Sequence, residues 1–298
     1  MKLSVIIPCL VRDEKVERAI RSLGRAPDGL ELEVVVVEGE RPLGRARNVG
    51  LERATGDYIA WLDGDDEVVP EWGVTIARAL AAHSGCDVLV MDMEMVGWPG
   101  CKGSAWKVTP GTADPRRLLT DVARDMRIFS NTVLFVTRRG LWTGLRFTED
   151  TRIGEDYMMA LPLLSRAKSC VYLGRSLYRY HCTAGGLMMN EAAHETKERV
   201  LIMERRLAGA PQTCRRSAAW GMGVGCYWLA EAAALGKRPS ENADYGRRWI
   251  RRQFGVLLAE AVCGRWLSVR DRVGWMVRFA CAATNCWWIQ RRRHGGRR

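Results

Sequence analysis

The 298 residues are 47% hydrophobic and 27% charged, a globular rather than disordered composition with enough chain for one large domain or one domain plus an appendage. The formal charge is +12, but from Arg247 onward thirteen arginines face only Glu260 and Asp271, so +11 of that charge belongs to the tail. The absence of any run of about 18 uncharged apolar residues argues against a spanning helix, and ten scattered cysteines without a secretory signal predict reduced thiols in a cytoplasmic chain.

In chain order, residues 3–7 form a first apolar strand that Pro8 and Cys9 end. A short polar helix over 14–23 sets Val16, Ile20 and Leu23 on one side, and Gly24 closes it. The valine-dense run 32–37 predicts a second strand, central and parallel, ending in Glu38-Gly39-Glu40. A loop through Pro42 and Gly44 passes into a helix reaching about Ala54, and Thr55-Gly56-Asp57 turns the chain into a buried strand, Tyr58 to Leu62. A helix over 70–84 and a strand over 87–95 follow. Strands separated by helical crossovers of this length imply an α/β, doubly wound, mostly parallel sheet. Farther on, 115–125 reads as helix, 131–136 as strand, 138–142 as a short helix or turn, and 155–164 as helix. Residues 170–173 and 177–181 read as two short strands.

The chemistry concentrates where the buried strand ends. Asp63-Gly64-Asp65-Asp66 puts three carboxylates in four positions beyond a strand's carboxyl end, where open α/β sheets bind ligands. Unpaired charges are costly in a core but are suitable oxygen donors for a hard divalent cation shared with substrate phosphates. The structural alternative makes Asp66 the N-cap of the following helix. Glu38 is expected at the same edge, converging on Asp63 and Asp65, with Arg47 and Asn48 near enough to offset charge or touch a nucleotide. Gly154-Glu155-Asp156 places two acids at a helix start. Either is a general base if a substrate hydroxyl lies within reach, or both are charges favoured by the helix dipole.

Together these motifs give the chain its resemblance to a known family. Ser4-Val5-Ile6-Ile7-Pro8, Arg47-Asn48-x-Gly50, Ala54-Thr55-Gly56-Asp57-Tyr58-Ile59, Leu62-Asp63-Gly64-Asp65-Asp66, Asn131 through Phe135, Gly144-Leu145-Arg146-Phe147, Gly154-Glu155-Asp156 and Leu177-Tyr178-Arg179-Tyr180-His181 occur in one order. In that order the chain resembles the nucleotide-sugar-dependent family 2 glycosyltransferases of the GT-A type, most like bacterial members that build lipopolysaccharide, capsule or other surface glycans. The resemblance spans residues 1–190 and implies a catalytic GT-A domain there; beyond it, 191–298 reads from its own pattern as a basic, Trp/Arg-rich helical extension.

What the resemblance implies for the residues is specific. Pro8 would border the nucleotide pocket, Glu38 would face a base such as uracil, and Asp63 would lie near the ribose or diphosphate. Asp65 would bind Mg²⁺ or Mn²⁺ bridging the diphosphate of a UDP-sugar, with Asp66 close by, while His181 either reaches that metal or is a packed histidine. Asp156 would deprotonate the acceptor hydroxyl of a glycan or lipid-linked saccharide, supported by Glu155, and attack would invert the anomeric carbon. The family's usual paired aspartates and Gly-Ser after the second strand are Glu38-Gly39-Glu40 here, which makes base recognition unusual. A non-catalytic sugar-nucleotide or glycan-binding scaffold is the competing function. Acceptor specificity is expected in 98–112 and around Trp142.

In the tail, Trp249, Phe254, Leu257, Leu258 and Ala261, then Trp275, Met276, Phe279, Trp287 and Trp288, alternate with arginines, and residues 291–298 end it as a basic tract. Aromatic and basic amphipathic helices suit a membrane interface, here the inner face of the cytoplasmic membrane. The same pattern suits an ordinary helical subdomain or the surface of a homo-oligomer. Nucleic-acid binding through the arginines lacks a recognisable fold.

Overall fold

A computed structural model describes residues 1–97, 109–124, 131–182, 197–234, 240–263 and 267–284. Of the segment 98–112 expected to set acceptor specificity, only 109–112 are described, and Trp287, Trp288 and the basic tract 291–298 lie outside the described residues. The chain divides into two compact units, one of residues 1–122 with 127–193 and one of 123–126 with 194–298.

The first unit is built on an eight-stranded mixed sheet. Its elements are β1 (Lys2–Cys9), α1 (Glu14–Ser22), β2 (Glu31–Glu38), α2 (Leu43–Arg53), β3 (Tyr58–Trp61), β4 (Glu67–Val68), α3 (Trp72–Ala82), β5 (Val88–Val96), β6 (Gly111–Ala113), α4 (Pro115–Arg124), β7 (Phe135–Arg138), α5 (Glu155–Leu164) and β8 (Cys170–His181). The strand order is β2-β1-β3-β7-β5-β8-β4, with β6 also on β8. β1 pairs in parallel with β2 and β3, and β5 with β8, whereas β7 enters antiparallel between β3 and β5.

Three expectations need correction. β2 is parallel but lies at the sheet edge, paired only with β1, and accordingly only alternate valines are buried and Val34 is exposed. Residues 132–134 form a 3₁₀ turn, so the strand there starts only at Phe135. The two short strands after residue 170 are one strand, β8, which loses register against β5 between Val90 and Asp92. Gly174 lies at that irregularity with φ +63°, and a Cβ there would stand 2.3 Å from Pro110 Cγ. Glycine meets both demands, which is why a sequence reading sees a break.

The signature glycines around the site are packing devices. A Cβ on Gly50 would come 2.3 Å from Ile6 Cγ2, so α2 can lie directly on β1. At Gly56 a Cβ would meet the Ser4 backbone nitrogen at 2.6 Å, which keeps the turn into β3 tight against β1.

The second unit contains α6 (Lys197–Ala208), α7 (Arg215–Ala234), α8 (Ser240–Cys263) and α9 (Val269–Thr284). Trp220, Tyr227, Ile250, Leu257 and Phe279 form its core, with Trp249, Phe254, Trp275 and Met276 packed against them. Trp220 meets Trp275 and Phe279 edge-on at centroid distances of 5.7 and 5.3 Å. Of the aromatic residues expected on the amphipathic faces, Trp249, Phe254, Trp275 and Phe279 therefore pack within the unit, whereas Leu258 of the same stripe and the neighbouring Val262, Val269 and Val273 stay exposed. An amphipathic stripe alone does not say whether lipid or a neighbouring helix covers it. No helix among the described residues is long and apolar enough to cross a membrane.

Candidate active site

The site lies beyond the carboxyl ends of β1 and β3. Apolar β3 is buried at every position, and the chain leaves it through Leu62 into the acidic loop 63–66. The Asp66 N–H donates to the Asp63 carbonyl at 3.0 Å, closing a turn. Gly64 keeps the turn close, since a Cβ there would stand 3.1 Å from Val16 Cγ2 and 3.3 Å from Cys9 Cβ.

Each aspartate of the loop has its own environment. Asp63 accepts a hydrogen bond from Arg47 Nη2 at 2.9 Å. Asp66 is buried, with Oδ2 accepting from the Tyr178 hydroxyl at 2.7 Å and Oδ1 from the His181 N–H at 2.8 Å. Burial first, and then the charge of Asp63, pushes its carboxyl up to about 8 against those two hydrogen bonds. Asp65 is only partly buried, and no other described residue donates to its carboxylate. Burial and the Asp63 charge raise its pKa as well. Asp66 is not a helix cap, because α3 begins at Trp72 with Glu71 as its N-cap.

Arg47 is the centre of the arrangement. It is 1% exposed on α2, ion-paired through Nη1 with buried Glu155 as well as with Asp63. Its guanidinium lies 5.7 Å from the Phe147 ring and 6.0 Å from that of Trp61. Neighbouring Asn48 grips the loop that carries Phe147. Its Nδ2 donates to the Phe147 carbonyl at 3.0 Å and to Glu149 Oε1 at 2.9 Å, while its Oδ1 accepts from the Phe147 N–H at 2.8 Å. The Arg-Asn pair thus joins α2 to the segment leading into α5.

Gly154 begins α5 at φ +76°, placing Glu155 and Asp156 in the first turn. Glu155 is buried against Arg47, and Asp156 is half-buried. Burial raises the Asp156 pKa, the Arg47 charge opposes that rise, and the Asp63 charge adds to it. Asp63, Glu155 and Asp156 are therefore gathered around one guanidinium.

The other anticipated residues sit farther out. Pro8 is buried at the end of β1, paired with Val37. Glu38 is exposed and accepts from the Arg12 N–H at 3.0 Å. β1 lies between β2 and β3, so two strand spacings of about 5 Å each separate Glu38 from the aspartate loop at the same edge. The expectation that their strand ends are adjacent is corrected, because the chain folds β3 onto the far side of β1. His181 Nε2 pairs with Glu67 Oε2 at 2.6 Å. Among the described residues, no three acids, histidines or cysteines converge as a ready-made metal site.

Comparison with known proteins agrees with this geometry. Residues 38–98, which run from Glu38 through the aspartate loop, match the model of Glycosyl transferase family 2. The succinoglycan biosynthesis protein ExoO of Rhizobium meliloti is 27% identical over 191 residues, covering 61% of this chain and 54% of ExoO. Over that stretch the chain is similar to the family 2 glycosyltransferases, and ExoO acts in cell-surface polysaccharide synthesis. A second such relative, the poly(ribitol-phosphate) beta-N-acetylglucosaminyltransferase TarS of Staphylococcus aureus, is 24% identical over 64% of this chain and 37% of TarS. The chain thus spans about half or less of the length of these curated relatives. The crystal structure of TarS 1–349 superposes with a TM-score of 0.67 at 15% identity, covering 100% of this chain and 92% of that one. Its complex with UDP-GlcNAc gives 0.65 at 16% identity over 96% and 91%. The fold is GT-A, with a helical extension.

The sequence alone gave no role to Tyr178 or Arg18. Tyr178 accepts the Asp63 N–H at 3.2 Å while donating to Asp66, and Arg18 Nη2 donates to the Asp65 carbonyl at 2.7 Å. Tyr178 stands out in the sequence only as a member of the Leu177–His181 motif, and Arg18 only as one of several charges on α1.

Proposed function

We propose that this chain is an inverting, metal-dependent glycosyltransferase that moves a sugar from a nucleoside-diphosphate sugar, UDP-linked, to a hydroxyl of a glycan or lipid-linked saccharide in bacterial surface-polysaccharide synthesis. The observation that carries this reading is the gathering of Asp63, Glu155 and Asp156 around buried Arg47, with the Asp65 carboxylate nearby accepting from no other described residue.

In this reading Asp156 takes the proton of the acceptor hydroxyl, and its raised pKa makes it a better proton acceptor than an ordinary carboxylate. The hydroxyl oxygen then bonds to the anomeric carbon as the bond to the nucleoside diphosphate breaks on the opposite face. Glu155 does not take up the proton; its charge is spent on Arg47, and the pair fixes the start of α5. One carboxylate oxygen of Glu38 is engaged by the Arg12 N–H. The other suits a base with a single imide N–H, which uracil offers, better than guanine with its adjacent donors.

The donor set fits a divalent cation. Mg²⁺ and its analogues are commonly held by one or two carboxylates together with substrate phosphates, which asks less than a three-residue protein cage. Among the described residues no other residue donates a hydrogen bond to the Asp65 carboxylate, and burial first and then the Asp63 charge disfavour its ionised form, a cost that a cation would relieve. Asp66 and His181 fit less well as ligands, since both Asp66 oxygens accept from Tyr178 and the His181 N–H, and His181 Nε2 is paired with Glu67. When bound, such a cation neutralises charge developing on the departing diphosphate. A nucleotide-sugar donor places the reaction in the cytoplasm. A lipid-linked acceptor would bring the protein to the inner membrane face, where the exposed Arg248, Arg251, Arg252 and Arg270 of α8 and α9 suit anionic lipid.

Titration calorimetry with a panel of nucleoside diphosphates, with Mn²⁺ and with chelator, tests the donor assignment. Metal-dependent binding of UDP that disappears in Asp65→Ala is expected. Folded protein that binds none of the panel overturns the reading.

A further inference from the structure

The three loop aspartates are held from three directions. Arg47 on α2 holds the Asp63 carboxylate, and Tyr178 and His181 on β8 hold that of Asp66. Asp65 is held only through its backbone, and among the described residues the one side chain hydrogen-bonded to it is that of Arg18. The Arg18 guanidinium donates through Nη2 to the Asp65 carbonyl, while its Nε lies 3.4 Å from Glu67 Oε2, and Glu67 in turn meets His181. One turn farther along α1, Ser22 Oγ accepts the Val68 N–H at 3.1 Å. Residues four apart share a helix face, so α1 lays one face along the chain from Asp65 to Val68. Gly64 packs on Val16 of the same helix.

An acidic loop whose carboxylates repel one another does not by itself aim a free carboxylate at a ligand. Leaving the Asp65 side chain unpaired while fixing its peptide solves that problem. A planar guanidinium can grip a carbonyl and a carboxylate at once, which an ammonium point charge cannot do with the same geometry. We propose that Arg18 is a positioning residue of the donor site, a two-point brace between α1 and the aspartate loop that sets where the Asp65 carboxylate points. This rests on the reading of the loop as the diphosphate-binding element.

The test uses the full chain with UDP and Mn²⁺ by calorimetry and with uridine by ligand-observed NMR, the nucleoside reporting the base pocket alone. Loss of a charge-assisted hydrogen bond in Arg18→Met is expected to weaken UDP–Mn²⁺ binding about tenfold or more. Uridine affinity should stay within about twofold of the parent. Arg18→Lys keeps the charge but makes one contact at a time, so it should recover part of the loss and remain measurable if the methionine variant folds poorly. Undiminished UDP–Mn²⁺ binding in Arg18→Met overturns the proposal, as does an equal loss for uridine, which would mean general collapse of the pocket. Complete rescue by lysine also overturns it, because charge alone would then suffice. Failure of the unsubstituted protein to bind UDP with Mn²⁺ removes the donor-site reading itself, a result distinct from binding that ignores Arg18.

Discussion

Replacing Arg47 by methionine would leave Glu155 buried without a partner charge. The side chains of Arg47 and Glu155 are 2% and 3% exposed, whereas Asp63 is 29% exposed and can recover water. The penalty therefore falls mainly on Glu155, and breaking a buried pair in this way costs about 3–5 kcal/mol. Methionine retains part of the packing against Trp61 and Phe147 but forfeits their attraction for the cation, worth about 0.5–2 kcal/mol. A loss of about 4 kcal/mol is expected, a large share of the roughly 5–15 kcal/mol that keeps a domain folded. Because the chain has two compact units, the measurement should be local. Urea-dependent hydrogen exchange in peptides of α2 and β3 reads the first unit directly. Adding Glu155→Gln should restore about 2 kcal/mol or more, since an amide costs less to bury than an unpaired carboxylate. A loss in Arg47→Met below about 1 kcal/mol would refute the reasoning, as would further destabilisation by the second substitution.

Two other predictions concern the scaffold. Burial alone would raise the Glu33 pKa, but hydrogen bonds from Ser4, Thr55 and Lys2 prevail and lower it from 4.5 to about 2. Its stabilisation is thus fully present above the unfolded value near 4.5 and is lost as pH falls through about 2. The shift corresponds to at most about 3.4 kcal/mol, reduced to roughly 1–2 kcal/mol by solvent at this partly exposed site. Acid titration of stability should therefore be shallower in Glu33→Gln, and an unchanged slope would contradict the network. Gly50→Ala would gain about 1 kcal/mol on helix propensity alone, but its Cβ would press on Ile6. A net loss of about 1–3 kcal/mol is expected, and a raised melting temperature would show that α2 is not packed as described.

The order of elements in the first unit is legible in the sequence because its strands are short apolar runs and its turns carry glycine, proline and acids at the ends. The acidic loop and the Glu155-Asp156 pair stand out for the same reason, since charges following buried runs have few purely structural uses. Which acids meet is another matter. Glu38 and Asp63 both end strands, yet β1 separates them, because strand order depends on how crossovers pack rather than on local pattern. The roles of the three aspartates also depend on partners distant in sequence: Arg47 for Asp63, Tyr178 and His181 for Asp66, and Arg18 for Asp65. The helical tail shows the same division. Sequence fixes amphipathic helices with aromatic and basic faces, but only packing decides that Trp220, Trp249, Trp275 and Phe279 lie within or against a protein core. Periodicity records which face of an element is apolar, and tertiary structure alone decides what covers it.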